Sequence, residues 1–518
     1  MTPSRADSLA ALESHRFDLL VIGAGIVGAR VAYEAARSGA TVALLDAGDF
    51  GGETSCSSSK LLHGGFRYLA GYRFGLVREA QRQRAVLAGR VAPHLVWSCP
   101  MVVALPSFRL RRRLKLATGL AVYAALAGFR APRPRLISGE TAIRFVPALN
   151  LRVVGATGLI GEMQTHDARL TLATVKGAVA AGTVVTNYVK VVELFGNGAL
   201  VEDRFGGGTL RVDFRAVVNA GGPWLDSVRR LQDPHAKPLV RLSSGTHALL
   251  AMPDRWTAGL AVFDEAHSVF AVPWQSMLLV GATDAPLEGE PSTAAVTVDH
   301  VRELLDGVGS VLEGPLGSVL STYCGVRVLP LGDTPTAEAP REHVIDVGPS
   351  GMVSVGGGKL TTHRPIAAET LRRLPAEVRP RRLVPTVTPL PGAGRAIVPP
   401  SVDSSIVEHL VSLYGNEAAS VIASAGDDPN GLERIHPAGP DVWAQVRYAV
   451  EHEWALTAND VLERRTTVAL RGLASGHVRA ELEGRLSSAC QPSHESSAGQ
   501  FVPDWSLAHN PKLERRPL

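Results

Sequence analysis

Cysteine is scarce in this chain and scattered where it occurs. The 518 residues hold four, Cys56, Cys99, Cys324 and Cys490, with neither a C-x-x-C pair nor metal-ligand spacing. No disulfide framework and no metal site are expected, and a reducing compartment is the simplest inference. Long apolar runs are missing too. The longest uncharged one, residues 116–128, is too short to cross a bilayer. Residues 1–15 are polar and mixed in charge, without the apolar stretch of a secretory signal. Membrane contact, if there is any, is peripheral. Neither sign of charge dominates, since 53 Lys and Arg stand against 49 Asp and Glu for a net +4. The small basic excess is concentrated rather than spread, and no nucleic-acid partner is expected. Glycine, at 52 residues, and a hydrophobic content of 45% are what the chain does have. They allow a large core and two or three domains.

The most informative stretch is 17–68. An apolar run, 17–22, turns at Gly23-Ala24-Gly25-Ile26-Val27-Gly28, a helix is predicted over 26–38, and a second strand ends on Asp46. In such a βαβ unit Gly23 makes the tight turn, Gly25 lets the backbone touch a pyrophosphate, and Gly28 lets the helix approach the sheet. The phosphates would sit at the helix N-terminus, where free N–H groups and the dipole favour anions. Asp46, 18 residues beyond Gly28, is placed to accept from a ribose 2′-hydroxyl and would repel a 2′-phosphate. The fingerprint does not distinguish NAD from FAD.

The segment that follows does. Thr54-Ser55, Ser58-Ser59-Lys60-Leu61 and His63-Gly64-Gly65, then Arg67-Tyr68-Leu69, offer hydroxyls, amides and a cation in a loop too polar for a third strand. Composition alone would equally suit a surface loop. The pattern resembles the signature of the FAD-dependent glycerol-3-phosphate dehydrogenases, within the wider flavoenzyme group that includes D-amino-acid oxidase. The resemblance continues in separated motifs over about residues 15–475. It implies a backbone contact from Val189 to the adenine, a second FAD contact at Gly221 and Trp224, and a flavin-edge turn at Gly357-Gly358-Lys359-Leu360-Thr361. It also implies a substrate arginine at Arg327. Two departures stand out: His363 replaces the family tyrosine and is read as structural, and Val328-Leu329-Pro330 follows Arg327 in place of the usual order.

The fold implied is α/β, or α+β overall. A discontinuous Rossmann-like FAD domain (15–75, 150–240, 320–375) is interleaved with a mixed or antiparallel substrate part (76–149, 241–319). A linker at 380–400, a helical cap at 401–490 and a loose tail at 491–518 follow. Residues 155–161 read as a glycine-rich turn, and helices are predicted over 76–93, 406–414, 418–425, 442–453 and 460–474. The arginines of 76–93, Arg84 among them, read as a solvated face, and His452-Glu453 as packing and ion pairing rather than a metal site. Arg109, Arg111, Arg112, Arg113 and Lys115 lead into the apolar run, and Arg130, Arg133 and Arg135 follow it. That suits either a helix lying in an anionic lipid interface or a buried helix with a basic entrance. The resemblance favours lipid.

For mechanism, oxidising a secondary alcohol requires a hydride acceptor and a base. His247 is the candidate base, His63 the second choice, and Arg327 would hold the developing alkoxide. Arg67, Tyr68, Arg327 and Lys359 would bind a phosphate dianion. The expected substrate is glycerol 3-phosphate and the acceptor a membrane quinone, on the cytoplasmic face of the cell membrane; a homodimer is allowed for. Two other readings stay open: a flavin enzyme acting on an amino or hydroxy acid, and a flavin-bearing partner subunit without turnover.

Overall fold

A computed structural model of the chain describes residues 3–69, 71–128, 133–252, 256–263, 268–336, 339 and 342–489. Arg130, Cys490 and the tail 491–518 lie outside these. The chain divides into two compact units. Among the described residues, one comprises those of 3–56, 167–242 and 327–489, the other those of 57–166 and 243–326. Sequence had assigned 57–75 and 150–166 to the dinucleotide-binding part, whereas here both pack within the second unit.

The first unit is built on an eight-stranded sheet. Arg16–Ile22 lies between Val42–Leu45 and Thr209–Asn219, parallel to both. Val353–Gly357 and Val184–Thr186 extend the parallel array on either side. A strand covered on both faces needs an unbroken apolar run, which is what Leu19, Leu20, Val21 and Ile22 supply. The helix Ile26–Arg37 follows at once. Residues 209–219 form one continuous strand of eleven residues. The same unit holds the C-terminal helices Ser404–Tyr414, Ala418–Ala423, Ala444–Glu453 and Gly476–Ala489. Asp403 caps the first, its side chain accepting from the N–H groups of Ser405 and Ile406. The helix predicted over 460–474 is not formed. A capping box at Thr457 and Asp460 opens a single turn, Ala458–Asp460, and then a wide turn, Val461–Arg465, after which the chain leaves helical geometry. No helix or strand lies between Arg372 and Ser404 among the described residues, and the segment belongs to the first unit.

The second unit carries a ten-stranded, mainly antiparallel sheet. Its longest pairing joins Val96–Leu105 to Ala156–Thr165 over ten residues. The predicted turn at 155–161 is therefore wrong. Gly158 and Gly161 sit inside a strand, because a Cβ at Gly158 would come within 2.8 Å of Leu120 on the helix Leu110–Leu126. These glycines read as turn signals, but one of them serves close packing. The loop after Asp46 likewise contains a short strand, Leu61–Leu62, paired with Gln164 and Met163. The helix predicted over 76–93 is Phe74–Val86 followed by a wide turn, Leu87–Val91. Among the described residues no helix is long and apolar enough to cross a membrane.

Candidate functional site

In the first unit the glycine turn is constrained on three sides. Gly23 has φ +98° and donates to the Leu45 carbonyl at 2.7 Å; a Cβ there would lie 2.5 Å from the Ala220 carbonyl oxygen. A Cβ on Gly28 would fall 1.9 Å from the Gly23 carbonyl oxygen. Only glycine fits either place. Gly25 caps the helix in extended conformation, and the Ile26 N–H donates to Ser55 Oγ at 2.9 Å. Ser55 thus already meets the helix N-terminus at which a pyrophosphate would bind.

Asp46 accepts from Ala24 N at 2.7 Å and Gly48 N at 2.9 Å. Loss of solvent nevertheless outweighs these donors, and Asp49 and Glu53 add repulsion, so that the carboxyl is pushed up to about 7. The Val189 N–H donates to the Asp46 carbonyl at 2.8 Å, which sets the two predicted adenosine contacts side by side. Gly221 is fixed by Asn219, whose Oδ1 accepts from its N–H at 3.1 Å and whose Nδ2 reaches the Leu225 carbonyl at 2.9 Å. Trp224 ends the short helix Gly222–Trp224. Gly357 and Gly358 have φ +75° and +83°, and their missing side chains leave room for the Glu342 carbonyl and the Ile366 side chain. Lys359 leads into Leu360–Thr362, where the buried Thr361 hydroxyl has no partner. That orphaned hydroxyl beside a glycine turn fits a bound flavin nucleotide, which would be held by the Gly23–Gly28 turn, Asp46, Ser55 and 357–361. His363 is fully buried, its Nδ1 2.7 Å from the Leu360 carbonyl, and burial pushes the imidazole down to about 3. It is a neutral buried side chain.

Sequence reasoning missed what holds the loop after Asp46. Buried Asp49 pairs with Arg464 and Arg465 and accepts from Asn187 Nδ2 at 3.2 Å. Burial alone would raise its carboxyl, but the two guanidinium groups hold it below the ordinary range. Asp460 accepts from the Tyr188 hydroxyl at 2.7 Å, next to Val189. The helical C-terminal region therefore holds the segments next to Asp46 and Val189, the two predicted adenosine contacts. Arg169 forks onto Glu453 at 2.6 and 2.7 Å, so Glu453 is an ion-pair partner, and no metal-binding group exists among the described residues.

The second unit gathers the remaining candidates in two places. At the first, Lys60, with φ +55° and almost no exposure, lies 5.2 Å from the Tyr323 ring centre and 5.8 Å from that of Trp274. Ser59 Oγ stands 3.0 Å from His247 Nε2, and Ser58 Oγ accepts from Lys60 N at 3.1 Å. At the second, buried Glu162 accepts from Gly64 N at 2.6 Å, Arg84 Nη1 at 2.8 Å and the Tyr123 hydroxyl at 2.7 Å. Arg84 is thus no part of a solvated face, unlike its exposed neighbours Arg78, Arg82 and Arg90. A Cβ on Gly64 would meet the Tyr123 hydroxyl at 2.1 Å, and Gly65 takes φ +87°. The single-turn helix Phe66–Leu69 follows, with the His63 ring 5.8 Å from that of Tyr68; the Arg67 side chain lies outside what is described. Arg327 and Lys359 belong to the first unit, the other predicted substrate residues to the second.

The chain is similar to known proteins over most of its length. A family profile described as FAD dependent oxidoreductase matches residues 18–364, and one described as the C-terminal domain of alpha-glycerophosphate oxidase matches 357–481. The chain is 32% identical to a glycerol-3-phosphate dehydrogenase of Mycobacterium leprae over 92% of this chain and 86% of that protein. It is 33% identical to glycerol-3-phosphate dehydrogenase 1 of Mycobacterium bovis over 90% and 94%. Among solved structures, the glycerol-3-phosphate dehydrogenase of Bacillus halodurans complexed with FAD superposes with a TM-score of 0.75 over 93% of this chain and 92% of that one, at 24% identity.

Proposed function

Because the chain belongs to the family of FAD-dependent glycerol-3-phosphate dehydrogenases, we propose that this FAD-dependent oxidoreductase oxidises sn-glycerol 3-phosphate to dihydroxyacetone phosphate. The observation that carries the substrate is the extent of the likeness, which runs through the flavin-binding part and the C-terminal region alike. Bound flavin would supply a hydride acceptor at N5. His247, with Nε2 against the Ser59 hydroxyl, takes the substrate hydroxyl proton, and His63 is the second candidate for that role. In the first unit Arg327 and Lys359 are the candidates for charge-assisted hydrogen bonds to the alkoxide and the phosphate, and in the second Arg67 and Tyr68 are the candidates for the phosphate.

Electrons then pass to a membrane quinone, with the protein resting on the cytoplasmic face of the cell membrane. The helix Leu110–Leu126 supports this reading. One face is buried through Leu116, Leu120 and Tyr123, while Phe108, Leu110 and Leu114 are 70%, 68% and 58% exposed among the exposed cations Arg109, Arg111, Arg113 and Lys115. Apolar side chains raised among cations suit an anionic lipid surface.

Dye-linked flavin reduction by glycerol 3-phosphate, compared with glycerol, lactate and D-alanine, tests the substrate. Reduction by glycerol 3-phosphate alone is expected. Reduction by D-alanine or lactate in its place would move the assignment to an amino or hydroxy acid, and no reduction by any of the four to a partner subunit.

A further inference from the structure

The proposed chemistry needs a base, yet it does not explain how tightly His247 is held within the second unit. Its ring lies face to face with that of Tyr323, centroids 4.8 Å apart and planes 13° apart. Across the antiparallel pair His247 stands opposite Gly281, where a Cβ would come within 2.2 Å of the imidazole Cδ2. Nε2 meets Ser59 Oγ at 3.0 Å, and the Tyr323 hydroxyl donates to the carbonyl of the adjacent Ser58 at 2.7 Å. Tyr323 itself is anchored in the strand Val319–Pro330.

An imidazole has two soft torsions. The stack fixes the ring plane, Gly281 leaves the space the ring occupies, and the Ser59 hydroxyl fixes where Nε2 points. Resting on the reading of His247 as the base, we infer that Tyr323 is a positioning residue: it sets the plane of the imidazole directly and the place of Ser59 through the Ser58 carbonyl. A general base works only within hydrogen-bond reach of its proton, and a misplacement of about 1 Å costs on the order of a hundredfold in rate. An aromatic that merely filled the core would affect stability and leave the rate per folded, FAD-loaded molecule alone.

The test uses full-length, FAD-loaded protein and follows flavin reduction by saturating glycerol 3-phosphate in single turnover, with FAD content and KM measured beside it. Tyr323→Leu removes stack and hydroxyl; reduction should slow by about 10- to 100-fold while KM and FAD content stay near the starting values. Tyr323→Phe keeps the stack and should lose less than about tenfold, and that loss should vanish in a Ser59→Ala background, because the hydroxyl acts through Ser59. His247→Ala is the control. If it is slow while Tyr323→Leu reduces flavin at the parent rate, the inference fails; if both run at the parent rate, the assignment of His247 itself fails. Should Tyr323→Leu lose FAD in step with activity, or not accumulate, the phenylalanine pair decides: independent, multiplying effects of Tyr323→Phe and Ser59→Ala overturn the positioning role.

Discussion

Under the proposed function, Arg327 is the residue whose replacement separates phosphate recognition from flavin binding. It is half-buried near the end of a twelve-residue strand. Arg327→Ala should keep FAD and lose about 100- to 1000-fold in kcat/KM, since a hydrogen bond to a charged group contributes about 1.5–3 kcal/mol and a transition-state contact somewhat more. Arg327→Lys should recover only part, because an ammonium does not reproduce the planar fork. Unchanged turnover with FAD retained would remove Arg327 from the pocket. Asp46 makes a second prediction at this scale. Its folded carboxyl titrates near 7 and its unfolded one near 3.8. The apoprotein's stability from this group is full below about 3.8 and is lost as pH rises through 7. Ribose hydroxyls donate to the ionised form, so FAD affinity should rise between pH 6 and 8, by up to about tenfold per pH unit below the titration. Asp46→Asn should bind FAD more weakly and with no such slope; calorimetry of apoprotein with FAD at several pH values reads both.

Among elements, the basic helix Leu110–Leu126 carries the most consequential prediction. Changing Arg111, Arg112, Arg113 and Lys115 together to glutamine should shift the protein from pelleted to soluble material on anionic vesicles, with dye-linked activity intact. Each cation near such a surface contributes about 1 kcal/mol, and raised salt should weaken binding of the parent protein. Equal sedimentation of parent and variant would end the interface reading. The glycine runs show how element-level reading divides. Gly23-Ala24-Gly25 was legible because an apolar strand precedes it and a helix follows. The run 155–161 was misread because strand glycines that admit Leu120 resemble turn glycines until the partner helix is known.

For the whole molecule, the Asp49–Arg465 pair joins residues 416 apart in sequence. Arg465→Ala leaves Asp49 buried with half its countercharge, and removing one member of a buried pair costs about 3–5 kcal/mol. Denaturant unfolding should register a loss of that order, with FAD released at lower denaturant than in the parent, since Asp49 shapes the loop beyond Asp46. Acid should mimic the change: the Asp49 carboxyl is held low, so its stabilisation is present above about 3.8 and is lost as pH falls through its folded value. An Arg465→Ala protein that unfolds and releases FAD like the parent would deny the C-terminal region this role.

Sequence by itself determined the dinucleotide turn, the alternation of parallel and antiparallel regions and most C-terminal helices, because each is written in local spacing: glycines at set intervals, apolar residues at period two or 3.6. Tertiary structure alone decided what depends on partners far apart in the chain. It made Arg84 a partner of buried Glu162 and gave the loop beyond Asp46 to Arg464 and Arg465. It also stacked Tyr323 on His247. A side chain's charge or ring is visible in sequence, but whether it faces water, a countercharge or another ring is set by which strands and helices meet, and no local pattern encodes that meeting.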